Sequence, residues 1–152
     1  MAAARCPASS FHHLSQPLFV WHFMIDDCST LVEVVLNDGL QRIGGSAFAR
    51  CISLIRIDIP PSVTVIDDFA FSYCTALEEV VLHEGLKTIG GSAFIGCRSL
   101  IHIVIPRSVT AIGENAFNGS GNITTGFYVE DPVILRDTSF TVISLEDWSQ
   151  RL

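Results

Sequence analysis

Four of the chain's 5 cysteines stand in an evenly spaced row, Cys28, Cys51, Cys74 and Cys97, with a period of 23. Thiols can form disulfides, bind soft metals or act as thiolate nucleophiles. Even spacing over so long an interval suits none of these. Zinc sites pair their ligands about two to four positions apart. A disulfide framework would leave one of the 5 cysteines over. The spacing reads instead as one packing position repeated, and Cys is among the most buried residue types. Stacked side chains also point the same way, which disulfide geometry does not tolerate. The expectation is a row of buried, reduced thiols.

The remaining reactive residues form no constellation. His12-His13 is an isolated pair with no metal-ligand spacing around it. Asp26-Asp27 and Asp67-Asp68 are adjacent acids without an EF-hand loop. No G-x-S-x-G elbow and no phosphate-binding glycine loop is present. Asn118-Gly-Ser and Asn122-Ile-Thr are formal glycosylation sequons, relevant to a secreted chain. No catalytic residue, metal ligand or cofactor is therefore expected, and the chain is not expected to be an enzyme. A net charge of −7, from 9 basic and 16 acidic side chains, argues against nucleic acid and against an anionic membrane surface.

The elements that would carry these residues follow from the period. Self-similarity at such a fixed interval marks one structural unit stacked on itself. Counting each Cys as repeat position 1, position 4 is Leu31, Leu54, Leu77 and Leu100. Position 7 is Val34, Ile57, Val80 and Ile103; position 9 is Leu36, Ile59, Leu82 and Ile105. The spacing of two and the β-branched residues predict a short strand with its apolar face inward, paired in parallel with the next coil. Positions 10–12 are turn formers: Asn37-Asp38-Gly39, Pro60-Pro61-Ser62, His83-Glu84-Gly85 and Pro106-Arg107-Ser108. Positions 13–16, ending on Ile43, Ile66, Ile89 and Ile112, allow a second strand on the opposite wall. Gly or acidic residues at positions 17 and 18 then lead into a single helical turn. It carries Ala47, Ala70, Ala93 and Ala116 inward, followed by Phe48, Phe71, Phe94 and Phe117. Each ring is expected to stack on the ring of the next coil. The expected fold is thus an α/β solenoid, a right-handed stack of about five coils with short parallel strands and short helical turns.

A longer period lies over the short one. Residues 28–50 match 74–96 at 14 of 23 positions but match 51–73 at only 5. The unit of duplication is therefore two coils. The pattern C-x-x-L-x-x-[VI]-x-[LI]-x-x-x-[LV]-x-x-I-x-x-x-A-F resembles the BspA-type leucine-rich repeat over about residues 28–140, with Pro60 and Pro106 after the strand and Ile-Gly at 43–44, 89–90 and 112–113. It departs from the general leucine-rich pattern at position 12, where Gly39, Ser62, Gly85 and Ser108 replace an asparagine ladder. The resemblance implies protein–protein interaction or adhesion, and carries over no catalytic residue.

The ends are atypical, as capping coils must be. Residues 1–27 read as a disordered N-terminus and a degenerate first coil, 28–140 as the solenoid, and 141–152 as a C-terminal cap or tail, with Ser144 to Leu152 as a candidate helix. The apolar run from Pro17 to Ile25 is too short for a membrane span, and no small-residue cleavage site follows it before Asp26 and Asp27. A cytoplasmic location is favoured, with a secreted or surface location left open.

The outward positions of the first strand are the most informative. Position 6 is Glu33, Arg56, Glu79 and His102; position 8 is Val35, Asp58, Val81 and Val104, then Phe127 in the fifth coil. Position 5 adds Val32, Ile55, Glu78 and Ile101. Apolar groups mixed with charge describe a protein-binding patch; strand propensity alone is the competing explanation. The reading is a non-enzymatic interaction module for a protein partner, with self-association through the solenoid ends as a further option. The alternatives are a surface adhesin for host protein or glycan, and a fragment of a longer array.

Overall fold

A computed structural model describes residues 27–121, together with the backbone of 11–13 and 126–127. Within these residues ten short strands form two parallel sheets that face each other across one core. The front sheet holds β1 (Phe11–His13), β2 (Glu33–Val35), β4 (Arg56–Asp58), β6 (Glu79–Val81), β8 (His102–Ile105) and β10 (Gly126–Phe127), in that order. The back sheet holds β3 (Arg42–Ile43), β5 (Val65–Ile66), β7 (Thr88–Ile89) and β9 (Ala111–Ile112). Neighbouring coils pair at the same repeat position, Val34 with Ile57 and Ile57 with Val80. The expected parallel-strand solenoid is present.

The core is the repeat seen end on. Leu54, Ile57, Ile59, Ile66, Ala70 and Phe71 of one coil are all at most 1% exposed. The phenylalanines stack as expected, with centroids 5.1, 5.2 and 5.2 Å apart and ring planes within 8° of parallel. That spacing follows the strand repeat of about 4.8 Å, since one ring rides on each coil.

The expected helical turns are not formed: the described residues contain no helix. Two positions per coil hold left-handed backbone instead. Position 19 does so at Ser46, Phe69, Ser92 and Asn115 (φ 53° to 59°), and position 23 at Arg50, Tyr73, Gly96 and Gly119 (φ 58° to 71°). Alternate amides then leave the coil. Ser46, Phe48 and Arg50 donate N–H groups to the carbonyls of Asp68, Ala70 and Ser72, while Ala47, Ala49 and Cys51 close local turns onto Gly44, Ser46 and Phe48. The next coils repeat this at Phe69, Phe71 and Tyr73, and at Ser92, Phe94 and Gly96. A helix would satisfy its amides four positions back. Here half of them form a third ladder between coils, along the corner that carries the Phe spine.

The structure also gives the two-coil period a physical cause. Gly39 and Gly85 turn with φ of 102° and 115°. Their N–H groups donate to the hydroxyls of Ser62 and Ser108, one coil on, at 3.0 Å each. Ser62 passes its own proton to the Leu40 carbonyl at 2.9 Å. Gly turns and Ser turns interlock in pairs, which matches the two-coil period.

Both outermost coils are one residue shorter than the rest. Phe11 pairs with Glu33, and Gly126 with Val104, offsets of 22. This corrects the fifth coil: Phe127 pairs with Ile105, at position 9, not with Val104 at position 8. The proposed C-terminal helix and residues 1–10 lie outside the described residues.

Candidate interaction face

The thiols are the first group to place. Cys51, Cys74 and Cys97 are buried and reduced, but Cys28 is disulfide-bonded, which corrects the expectation of four equivalent thiols. The Cys74 Sγ–H donates to the Phe48 carbonyl at 3.0 Å and that of Cys97 to Phe71 at 3.1 Å. Ser120, in the fifth Cys position, makes the same bond to Phe94 at 2.8 Å. The row thus ties the carbonyls of Phe48, Phe71 and Phe94 to residues about one coil on, 26 positions away in each case. Burial, with Cys97 and Cys51 close by, pushes the Cys74 thiol far above its ordinary range; burial pushes Cys97 up to about 12. A thiolate is disfavoured there, and these sulfurs are unsuited to nucleophilic or metal chemistry. Among the described residues no group of three His, Cys, Asp or Glu could hold a metal ion.

The front sheet brings the predicted binding residues together. Strand register sets Glu33, Arg56, Glu79 and His102 side by side in one row. Val35, Asp58, Val81 and Val104 form a second row, two positions along each strand. Glu33, Val35, Arg56, Asp58, His102 and Val104 are exposed, and Glu79 and Val81 are half-buried. Val32, Val35, Ile55, Ile101 and Val104 keep 40–50% of their surface in water. The charges are internally braced: Arg56 meets Glu79 at 2.8 Å, and Asp58 meets the His83 ring at 2.8 Å.

The back sheet presents different chemistry on the same backbone. Its outward residues are Gln41, Arg42, Thr64, Val65, Lys87, Thr88, Thr110 and Ala111. The Thr64 and Thr110 hydroxyls donate to the carbonyls of Gln41 and Lys87, and Arg42 pairs with Asp67 at 3.1 Å. These residues fasten coil to coil.

Reading by strand position overlooked a second exposed apolar pair. Phe69 and Tyr73 are 48% and 47% exposed on the turn corner, with φ of 59° and 58°. A bulky side chain in that region is an outlier. A β-carbon on Gly96 would lie 2.6 Å from the Tyr73 ring, so the ring lies over the next coil's glycine. The sequence signal was there: the other coils carry Ser, Arg, Gly or Asn at these two positions.

Comparison with known proteins agrees with the geometry. The family model described as the BspA type leucine rich repeat region matches residues 10–125 in 6 copies. A crystal structure of a leucine rich repeat protein of T. pallidum is 36% identical, with a TM-score of 0.63, over 64% of this chain and 46% of that one. A leucine rich cell surface protein of Faecalibacterium prausnitzii A2-165 is 33% identical, with a TM-score of 0.55, over 67% of this chain and 30% of that one. The chain therefore spans less than half the length of either structure. No curated protein matches it. Repeat, ladder and spine agree with the family match, and the chain belongs to the BspA-type leucine-rich repeat family.

Proposed function

We propose that the chain is a non-enzymatic interaction module whose front face receives a protein partner. One observation carries the reading: two sheets of the same coils, built on the same parallel pairing, differ in what they show to water. The front exposes Val32, Val35, Ile55, Ile101 and Val104 by 40% or more; the back, around Val65, shows mainly Thr, Gln, Arg and Lys. Were strand propensity the reason for exposed Val and Ile, both walls would carry them. Exposed apolar side chains interleaved with the charges of Arg56, Glu79 and Asp58 are what a protein-binding patch presents. The braced charges and the continuous ladders make the face rigid before binding, which lowers the entropy lost on association.

Adhesion at a cell surface is the second reading. It is supported by the F. prausnitzii neighbour, described as a cell surface protein. The cytoplasmic location favoured from sequence gains nothing from it. No helix among the described residues is long and apolar enough to cross a membrane.

The test is a pull-down from the native source with wild type and with a Val35→Glu, Val81→Glu, Val104→Glu triple variant that retains the wild-type circular dichroism spectrum. The wild type retains a partner that the variant loses. Equal capture by both baits overturns the assignment of the face.

A further inference from the structure

We propose that the front face docks on the front face of a second copy of this chain, about a two-fold axis lying parallel to the strands between β4 and β6. This rests on the interaction reading above and names the partner. The central row runs Glu33, Arg56, Glu79, His102 along the stack. Rotation about that axis reverses the order of the coils and preserves position along each strand. Glu33 then faces His102 of the second copy, and Arg56 faces its Glu79. Acid meets base at every step, and because a two-fold interface is isologous each pair occurs twice. The Arg56–Glu79 pairs of the two copies, each 2.8 Å across, merge into one alternating network of four charges. Glu33 and His102 carry no ion pair among the described residues, and the second copy supplies one to each.

In the apolar rows the outer pairs match. Val35 lies over Val104 of the second copy and Val32 over Ile101, all exposed by 40–50%. Asp58 lies over Val81 and keeps its own partner, His83, at 2.8 Å. In the row of Val32 and Ile101 the pair nearest the axis is Ile55 over Glu78, an apolar group against an acid. The axis also passes through the middle of the six-stranded sheet, so β2 lies over β8 and β1 over β10. A face-to-face two-fold running along the stack through this row would set Glu33 on Glu33 and Arg56 on Arg56, and like-charge contact is costly. Of these two arrangements the row favours the first. The face is small, so the association is weak and weakens further with salt.

The test is sedimentation velocity on the full chain from about 10 μM to about 1 mM, the range expected for a weak interface. Wild type shows concentration-dependent dimerisation that high salt suppresses. R56E and E79R each set like charges across the axis and lower the association constant at least about tenfold. An equimolar mixture of R56E and E79R dimerises again, because each variant presents the complement of the other. Circular dichroism confirms that both variants remain folded. A wild type that stays monomeric, single variants that associate as well as wild type, or a mixture that stays monomeric each overturns the proposal. A monomeric wild type that still loses a captured partner in the Val→Glu triple variant overturns self-docking while leaving the interaction face standing.

Discussion

The front and back walls of this solenoid are cut from the same coils, yet they answer to different demands. Both pair in parallel, both bury one residue in two, and both turn the other residue to water. The back wall uses its outward positions on itself: Thr64 and Thr110 bond to the preceding coil, and Arg42 holds Asp67. The front wall braces only its charges, at Arg56–Glu79 and Asp58–His83, and leaves its valines and isoleucines bare. Among the described residues these apolar side chains close no contact comparable to those of the back wall, and on the function proposed above they are the surface offered to a partner. On that proposal the two walls divide the work of the repeat between holding the stack together and meeting another molecule.

Removing what both walls share gives the largest effect. Phe71 is fully buried and stacked on both Phe48 and Phe94. Phe71→Ala should cost roughly 3–5 kcal/mol, read as a lowered denaturant midpoint. It weakens one coil and both of its interfaces, so front and back fail together. The comparison is sharpest in a paired experiment. The front triple variant Val35→Glu, Val81→Glu, Val104→Glu should abolish partner binding. A back triple variant, Gln41→Glu, Lys87→Glu, Ala111→Glu, should leave binding intact by isothermal calorimetry. Single surface changes of this kind shift stability by about 0.5 kcal/mol or less. Equal loss of binding in both triples would erase the distinction between the walls.

Smaller effects probe the joints between coils. Ser62→Ala removes the acceptor of the Gly39 N–H and the donor to the Leu40 carbonyl, and should cost about 1 kcal/mol by urea denaturation. Ala at Ser53, whose hydroxyl meets only the Ser29 carbonyl within an exposed turn, should cost less. The smallest effect is a pH dependence. Burial raises Cys97 from 9.0 to about 12, so the folded state holds a proton that the unfolded state gives up. That stabilisation is complete below pH 9.0 and is lost as pH climbs toward 12. In Cys97→Ser, which copies Ser120 in the next coil, the fall in stability between those limits should be shallower than in wild type.

Much of this was legible in the residues because a repeat states each requirement several times. The Leu, Ile, Ala and Phe columns located both strands, the core and the stacked spine without coordinates. The outward rows of the front strand were legible as well, since alternation along a strand follows from its pleat. What was misread has a common cause. An Ala-Phe pair after two glycines looks like one helical turn, and nothing in Phe69 or Tyr73 announces left-handed backbone; bulky residues avoid it. The amides there are satisfied by carbonyls of the following coil, Phe69 by Gly91 and Tyr73 by Ile95, partners that local reading does not contain. The outer coils slipped for the same reason, because an offset of 22 moves Phe127 from position 8 to position 9 with no change in its own sequence.

The sequence by itself determined the period, the pairing of coils, the identity of the core and the two faces of each strand. These depend on residue type and spacing, which burial and the strand pleat convert directly into structure. Tertiary structure alone decided the rest. It set the third ladder, the Ser caps on the neighbouring coil's Gly turns, the Cys bonds to the Phe carbonyls and the ion pairs Arg56–Glu79 and Asp58–His83 between coils. Each of these joins residues about one coil apart, and a contact between coils comes into being only once the coils are stacked.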